Sequence, residues 1–226
     1  MAESGRRGLF ITLEGVEGCG KSTQAAALVE HLESLGRRVV TTREPGGTPL
    51  GERIRDILLD PERGGMEPAT ELMLYLASRA EHVARVILPA LDRGETVVSD
   101  RFADASVAYQ GGGRGLGADL VDSLNRIVTR GVEPDVTFLF DLDASSGLDR
   151  LSGRRGPSER LDRIESEALS FHTRVRDAYV AAAARAPGRF VVLDAGRRPG
   201  EIAEEVRRKV DALLATSGNP ERSNDS

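Results

Sequence analysis

The sequence predicts an α/β fold, in which a five-stranded parallel sheet is flanked by helices on both faces. Five short apolar segments have the composition of buried strands, and helical sequence follows each of them; they are centred near Ile11, Val40, Val98, Phe138 and Val192. Strands that alternate with helices are typical of a parallel sheet covered on both faces. The chain of 226 residues is long enough for one sizeable core, and nothing in it suggests a linker, so one domain is favoured over two.

A glycine-rich loop follows the first predicted strand. The segment Gly15–Ser22 fits the phosphate-binding pattern G-x-x-x-x-G-K-[ST] without a mismatch, and the helical segment Thr23–Leu35 comes directly after it. Glycines let successive backbone N–H groups surround phosphate oxygens, and the helix N-terminus adds a partial positive charge. Lys21 can reach the β and γ phosphates of a nucleotide, and the Ser22 hydroxyl is placed to ligate a magnesium ion. The predicted nucleotide-binding residues are Gly15, Val16, Glu17, Gly18, Cys19, Gly20, Lys21, Ser22 and Thr23.

The next elements also follow from local composition. Gly36 is a suitable end for the first helix, and Arg38–Thr42 is predicted to be the second strand. After a turn-rich segment, apolar residues recur at helical spacing within Leu50–Leu59. A much longer helix is predicted from Pro68, which suits a first turn, to Leu91. The face of this helix that we expect to be buried contains Leu72, Leu76, Ala80, Val83 and Ile87.

The third predicted strand, Thr96–Ser99, ends in the polar pair Asp100 and Arg101. At the carboxyl ends of parallel strands, side chains point into the ligand crevice, so the pair is predicted to lie beside the phosphate loop. A surface salt bridge is the alternative interpretation.

The second half of the chain completes the alternation. A glycine-rich segment, 111–117, is predicted to be flexible and to precede a helix over 118–130; the fourth strand is Val136–Phe140. After a short helix, Ser152–Arg163 carries four arginines among glycine and proline, which predicts a mobile basic loop. A long helix over 164–186, a strand over 190–193 and a last helix over 199–215 follow, and the polar tail 216–226 is predicted to be disordered.

Composition excludes several classes of protein. The net charge of −5 argues against a general nucleic-acid binder, which needs basic faces to neutralise phosphate. The single cysteine, Cys19, rules out an internal disulfide and suits a reducing cytosol; a nucleophilic role for it is the less favoured alternative. The sequence has no apolar run near the ~20 residues of a membrane span and no apolar signal core in Met1–Gly8. We therefore expect a cytoplasmic protein without a membrane partner.

The residues favour a small-molecule kinase over a switch GTPase. Phosphoryl transfer brings two anionic substrates together, so the catalyst supplies positioning and positive charge. Lys21, Arg101 and the arginine-bearing loop meet that need, and a closing loop would exclude water as a competing acceptor. A switch GTPase would need a guanine-reading N-K-x-D motif near the end of a late strand, and the sequence contains none.

Six short segments, in order along the chain, resemble those of the bacterial thymidylate kinases, which belong to the nucleoside monophosphate kinase group of P-loop proteins. They are Glu14–Ser22, Thr42–Gly47, Ala77–His82, Asp100–Phe102, Ala108–Arg114 and Leu161–Glu165. The resemblance implies a kinase domain over 9–215, after an N-terminal extension over 1–8, with a short arginine-bearing lid at about 152–163. It also implies the reaction, in which ATP and Mg²⁺ convert thymidine 5′-monophosphate to the diphosphate, and a homodimer. The sequence alone leaves a kinase of another monophosphate, or of a deoxynucleoside, as the nearest rival.

The resemblance also implies roles for the residues of the acceptor site. Tyr75 falls where the family stacks an aromatic ring on thymine, and Arg79, four residues later, where an arginine hydrogen-bonds the base. Tyr75 by itself could equally be a core aromatic. The resemblance also implies that Arg55 and Arg101 hold the monophosphate and that Ser106 and Gln110 read the base edge. The remaining acceptor-site residues that it implies are Glu17 near the sugar, the acidic residue Glu44, and Tyr109. Asp100 is expected to orient the magnesium ion.

Some members of the family carry a catalytic arginine in the phosphate loop, at the position that Gly18 occupies here. The resemblance then implies that the arginine comes from the lid. Arg154, Arg155 and Arg160 are the candidates, and their spacing does not decide among them.

Overall fold

The computed structural model describes residues 7–62, 65–154 and 160–217. Within them lies one five-stranded parallel sheet with strand order β2-β3-β1-β4-β5. The strands are β1 (Phe10–Glu14), β2 (Val39–Arg43), β3 (Thr96–Asp100), β4 (Val136–Asp141) and β5 (Phe190–Asp194). The five predicted strands and the parallel arrangement are confirmed, whereas the order of the strands was beyond what the sequence could predict.

Nine α-helices surround this sheet in the described part of the chain. They are α1 (Lys21–Ser34), α2 (Pro49–Leu59), α3 (Pro68–His82), α4 (Leu88–Asp92), α5 (Ala103–Ser106), α6 (Ala118–Val128), α7 (Ala144–Arg154), α8 (Leu169–Arg185) and α9 (Pro199–Ser217). Two π-helical segments, Val83–Ile87 and Val107–Gly113, continue α3 and α5. Among the residues described, no helix is both long and apolar enough to cross a membrane.

The core lies on both faces of the sheet because alternate side chains of the central strand point in opposite directions. Ile11 and Leu13 of β1 belong to the larger apolar cluster, which includes side chains of α1, α8 and α9. Phe10 belongs to a second cluster with Val97 of β3 and the segment from Val83 to Leu91. The sheet is therefore covered on both faces, as predicted.

The sheet also determines where the functional residues meet. Leu13 in β1 pairs with Asp100 in β3, and Glu14 pairs with Leu139 in β4. The carboxyl ends of these three strands thus lie side by side at one edge, where the glycine-rich loop begins. This edge is the ligand-binding edge of open α/β sheets.

The long helix predicted over 68–91 is interrupted by a wider turn. Leu88 donates its N–H to the carbonyl of Val83, five residues earlier, which defines the π-helical turn. Pro89 has no N–H for the ordinary helical bond to the carbonyl four residues before it, so a departure from regular α-helix near this position is understandable. The expected buried face is confirmed at Leu72, Leu76, Val83 and Ile87, whereas Ala80 is half-buried.

The glycine run predicted to be flexible is in part a packing surface. Gly111, Gly112 and Gly113 lie in the π-helical segment Val107–Gly113. A Cβ atom on Gly112 would lie 2.4 Å from the Cβ of Ala178 in α8, and one on Gly113 would lie 2.7 Å from the ring of Phe171. The prediction of a flexible segment was therefore wrong for these residues, because glycine allows two helices to approach closely.

Three predicted boundaries also need correction. Helix α7 continues to Arg154, inside the segment predicted to be a mobile loop, and α9 continues to Ser217, past the predicted start of the tail. Helix α8 begins at Leu169 and not at Ile164, because residues 163–166 form a separate turn. The tail from 218 onwards lies outside the described residues.

Candidate active site

The phosphate loop has the backbone that its glycines permit. Gly15, Gly18 and Gly20 have φ values of 141°, 71° and 96°, in the region that favours glycine. Helix α1 begins directly after Gly20, so its free N–H groups face the loop. The Lys21 ammonium donates to the carbonyls of Gly15 at 3.1 Å and Val16 at 2.9 Å. The loop and the lysine thus form a compact group of donors at the end of β1.

A pocket of about 270 Å³ opens beside this loop. The predicted site residues that line it are Glu17, Gly18, Gly20, Lys21, Ser22, Glu44, Arg55, Tyr75, Arg79, Asp100, Arg101, Ser106, Tyr109 and Gln110. Four predicted nucleotide-binding residues, Gly15, Val16, Cys19 and Thr23, do not line it. Residues from separate parts of the chain therefore converge on one cavity.

Arg101 is held beside the phosphate loop by four groups. Its guanidinium donates to the Gly15 carbonyl at 2.9 Å and to the hydroxyls of Tyr179 and Tyr109 at 3.1 and 3.0 Å. It also forms an ion pair with Glu17 at 2.6 Å. Its backbone has a φ of 72°, which is uncommon outside glycine and is held by a hydrogen bond from its N–H to the Leu13 carbonyl. Arg101 is thus fixed beside the phosphate loop. Asp100 and Arg101 therefore do not form the isolated surface salt bridge that was the alternative interpretation.

Glu17 is ionised in this setting. Burial alone would raise the pKa of its carboxyl group, but Arg101 and Lys21 outweigh that effect and lower the pKa to about 2. Its Oε1 atom also accepts from the Tyr109 hydroxyl at 3.2 Å. Glu17 therefore presents a negative charge to the pocket at any physiological pH.

Asp100 and Ser22 could hold a magnesium ion. Both side chains line the pocket, and the Oδ1 atom of Asp100 is buried without a hydrogen-bond partner among the described residues. A buried carboxylate oxygen without a partner is costly unless a cation or water occupies the space beside it. Carboxylate and hydroxyl oxygens, completed by water and phosphate oxygens, are suitable ligands for Mg²⁺. The residues present therefore fit this ion, although no group of three or more His, Cys, Asp or Glu side chains in the described part forms a metal site.

Glu14 is a buried acidic residue whose role no sequence pattern indicated. Its carboxyl oxygens accept from the N–H of Phe102 and the hydroxyl of Tyr179, both at 2.7 Å. The first bond fixes the backbone directly after Arg101, and the second fixes Tyr179 of α8, whose hydroxyl also accepts from the Arg101 guanidinium. Burial, reinforced by the nearby Asp104 carboxylate, raises the pKa of Glu14 to about 8, although Arg101 favours the ionised form.

This raised pKa predicts a pH-dependent stability. Between pH 4.5 and about 8, Glu14 keeps its proton in the folded protein and loses it in the unfolded chain. The contribution of Glu14 to the free energy of unfolding is therefore complete below pH 4.5 and is lost as the pH rises through 8. Relative to E14Q, the free energy of unfolding of the wild type should fall by on the order of 3 kcal/mol between pH 5 and pH 8. Urea denaturation of both proteins at the two pH values measures this difference. A constant difference would show that Glu14 has an ordinary pKa.

Arg79 is fully buried at the rim of the pocket and is held by four groups. It donates to Glu44 at 2.7 Å, to Ser106 at 2.9 Å and to Asn125 at 2.7 Å. A fourth bond, at 2.9 Å, goes to the carbonyl of Phe102. Ser106 and Glu44 thus contact Arg79 directly, and their geometry supports a role in orienting it.

Glu71 is a second buried acidic residue whose role was not predicted from the sequence. It lies on α3, four residues before Tyr75 and eight before Arg79, and that helical spacing was the signal that could have identified it. Its carboxylate accepts from Gln110 at 2.8 Å, from Arg114 at 2.9 Å and from Arg163 at 2.7 Å. Glu71 therefore joins three separate segments around the pocket.

The predicted lid arginines have different positions. Arg154 is the last residue of α7, with its side chain outside the described part, and Arg155 lies outside the described residues altogether. Arg160 is exposed and does not line the pocket. Arg163, predicted within the mobile loop, is instead buried and bonded to Glu71. The prediction of mobility was wrong at this end of the segment, because Asp162 and Glu165 cap each other's backbone N–H groups in a tight turn.

The chain is similar to one family of known proteins along most of its length. Residues 13–206 match the family model described as thymidylate kinase. The chain is 53% identical over 208 residues to the thymidylate kinase of Desulfosudis oleivorans, covering 91% of this chain and 96% of that protein. It is 53% identical over 209 residues to the thymidylate kinase of Leifsonia xyli subsp. xyli, covering 92% and 97%. It is 47% identical over 211 residues to that of Trichlorobacter lovleyi, covering 92% and 99%.

Proposed function

Because this chain belongs to the thymidylate kinase family, we propose that the pocket beside its phosphate loop is where it phosphorylates thymidine 5′-monophosphate with ATP. The product is thymidine 5′-diphosphate, on the route to the thymidine triphosphate used in DNA synthesis. One observation carries the proposal: a single cavity joins the phosphate loop to Arg55, Tyr75, Arg79 and Gln110, which the family resemblance assigns to the acceptor. The kinase domain would span 9–215 and act in the cytoplasm, which suits the single cysteine.

The phosphate loop would bind ATP. Its backbone N–H groups and the start of α1 would surround the phosphate oxygens. Lys21 now donates to two loop carbonyls, and its ammonium would exchange these for oxygens of the β and γ phosphates. This movement requires only the rotation of a flexible side chain.

Ser22 and Asp100 would hold the magnesium ion, Ser22 directly and Asp100 through water. When bound, the ion would neutralise negative charge on the nucleotide phosphates. Asp100 is also next to Arg101 in the chain, so the metal and the acceptor phosphate would share one end of the sheet.

The acceptor would lie across the pocket, with its monophosphate toward Arg55 and Arg101. Arg55 uses one N–H on the Pro45 carbonyl, so its guanidinium keeps donors for two parallel hydrogen bonds to phosphate oxygens. Arg101 uses four of its five N–H groups within the protein, so its Nε–H is the donor left for the phosphate. Tyr75 would stack on the thymine ring, and the sugar would lie near Glu17 and Tyr109, which are already hydrogen-bonded to each other. Since Arg101 bonds both Glu17 and Tyr109, the residues around the sugar and the phosphate form one rigid unit.

An arginine from the lid, Arg154, Arg155 or Arg160, would complete the site when the lid closes. Positive charge is needed there because Gly18 supplies none in the phosphate loop. Closure would also keep water away from the transferring phosphoryl group.

We also propose that the enzyme is a homodimer, with helix α6 in the interface. Leu120 and Ile127 are exposed on α6 to 53% and 73%, and half-buried Leu124 lies between them at helical spacing. Met73, on the neighbouring helix α3, is exposed to 52%. Apolar side chains grouped in this way are typical of a surface that a second copy covers.

A charge on this surface should therefore dissociate the dimer. In the variant Ile127→Asp, burial of an unpaired carboxylate would oppose association, so sedimentation should show mainly monomer at concentrations where the wild type is dimeric. Val180→Asp is the matched control, because Val180 is also an exposed apolar residue, 43% accessible, on a different helix. A dimer that survives Ile127→Asp would place the interface elsewhere.

The dependence of ATP turnover on an acceptor tests the proposed reaction class. Purified protein with ATP and Mg²⁺ should release ADP rapidly only after thymidine monophosphate is added. Release at the same rate without an acceptor would instead indicate a nucleotide hydrolase or switch.

A further inference from the structure

We propose that Glu71 is a positioning residue that determines which pyrimidine the pocket accepts, by fixing the orientation of the Gln110 carboxamide. The inference rests on the proposed function, because it takes Gln110 as a residue that reads the edge of the base. Glu71 itself does not line the pocket, whereas Gln110 does.

Gln110 bonds to only one of the two oxygens of Glu71. The Oε1 atom accepts from the NH₂ group of Gln110 at 2.8 Å and, more weakly, from the Nε–H of Arg114 at 3.1 Å. Its Oε2 atom accepts from Arg114 at 2.9 Å and from Arg163 at 2.7 Å. Glu71 is completely buried, so water does not compete for these bonds.

The Glu71 carboxylate is ionised. Burial would raise the pKa of this group, but hydrogen bonds from Arg114, Gln110 and Arg163 outweigh the burial and lower the pKa. An ionised carboxylate only accepts hydrogen bonds, so Gln110 must turn its NH₂ group toward Glu71. Its carbonyl oxygen, which has no hydrogen-bond partner among the described residues, is then the end that faces the pocket.

This orientation gives the pocket a donor and an acceptor in fixed positions. Arg79 carries donors only, and Gln110 presents an acceptor. Thymine and uracil have the complementary edge, with an acceptor at O4 and a donor at N3–H. Cytosine has the opposite edge, with a donor at N4 and an acceptor at N3. The pair therefore favours bases with N3–H and opposes cytosine, since unpaired polar groups in a buried site are costly.

The variant E71Q should invert the arrangement with almost no change of shape. The two arginines that now donate to Oε2 would bind the single carbonyl oxygen of the substituted side chain. The Nε–H of Arg114, which now lies 3.1 Å from Oε1 and 3.2 Å from Oε2, would donate to that oxygen alone. The NH₂ group of that side chain would then face Gln110, which would turn its own oxygen inward and present NH₂ to the base. E71D is the matched control, because aspartate disturbs the packing but still only accepts.

The test is the binding of deoxythymidine, deoxyuridine and deoxycytidine 5′-monophosphates, measured by titration calorimetry. In E71Q, the preference for thymidine over cytidine monophosphate should fall by about 10-fold or more, whereas the preference for thymidine over uridine monophosphate should stay within about twofold. E71D should keep both preferences. An unchanged preference in E71Q, or an equal loss in E71D, would overturn the inference.

A measurement on the wild type covers the case in which E71Q does not fold. Hydrogen exchange of the Gln110 side-chain NH₂ group, followed by NMR, should be slow already in the ligand-free protein, because Glu71 binds this group. Protection that arises only on addition of thymidine monophosphate would overturn the inference.

The binding test and the turnover test separate this inference from the proposed function. If the binding preferences change in E71Q as expected but the wild type shows no acceptor-dependent ADP release, the proposed function is contradicted and the role of Glu71 is not. Normal turnover with unchanged preferences in E71Q would contradict the role of Glu71 alone.

Discussion

Replacement of Lys21 by Met should lower ATP turnover with thymidine monophosphate by about 10³-fold or more. Lys21 is the only side chain of the phosphate loop that can bring a positive charge to the β and γ phosphates. Methionine has nearly the same shape, so the change removes charge and not volume. Because Lys21 is buried against the loop, with an exposed fraction of 7%, water cannot take over its role.

The other lysine of the chain, Lys209, provides the matched control for this prediction. It is exposed on α9, far along the chain from the phosphate loop, and Lys209→Met should keep normal turnover. Steady-state rates of ADP formation measure both variants, and circular dichroism checks their folding. If Lys21→Met were folded and retained more than about a tenth of the activity, the assignment of the donor site would be wrong.

The second large effect is expected for Arg101→Lys, which should lower turnover by about 10²-fold. The charge is retained, but an ammonium group cannot bond in one geometry to the Gly15 carbonyl, to Glu17 and to two tyrosine hydroxyls. The acceptor phosphate would also lose the Nε–H, the one donor that Arg101 does not use within the protein. We expect the Michaelis constant for thymidine monophosphate to rise as well.

Arg130→Lys is the control for this substitution. Arg130 is exposed on the surface and is the other non-glycine residue of the described chain with a positive φ, at 54°. The same exchange at a comparable backbone strain should leave turnover unchanged. Normal turnover in Arg101→Lys would mean that positive charge alone is needed, and that the hydrogen-bonded geometry around Arg101 has no role in the reaction.

The position of the pocket could be predicted where polar residues or glycines directly follow an apolar strand. The glycines before Lys21, and Asp100 with Arg101 after an apolar strand, predicted where the pocket would lie, because the carboxyl ends of parallel strands converge. These features are local, so neighbouring residues suffice to interpret them.

Glu14 and Glu71 were missed for the opposite reason. Each is buried within its strand or helix, and each is accommodated by donors that are distant in the chain, such as Tyr179 for Glu14 and Arg163 for Glu71. The strand order, the π-helical turn before Pro89 and the packing of Gly112 on α8 depend in the same way on contacts across the fold. Only the three-dimensional structure brings such partners together.

The central claim is that thymidine monophosphate is the acceptor bound in this pocket. ADP release should therefore be compared across thymidine, thymidine monophosphate, deoxyuridine monophosphate and the other common nucleoside monophosphates, with ATP and Mg²⁺ in excess. We predict that thymidine monophosphate gives the highest kcat/KM of the series. A higher value for a purine monophosphate or for thymidine itself would contradict the assignment of Tyr75, Arg79 and Gln110 to thymine recognition.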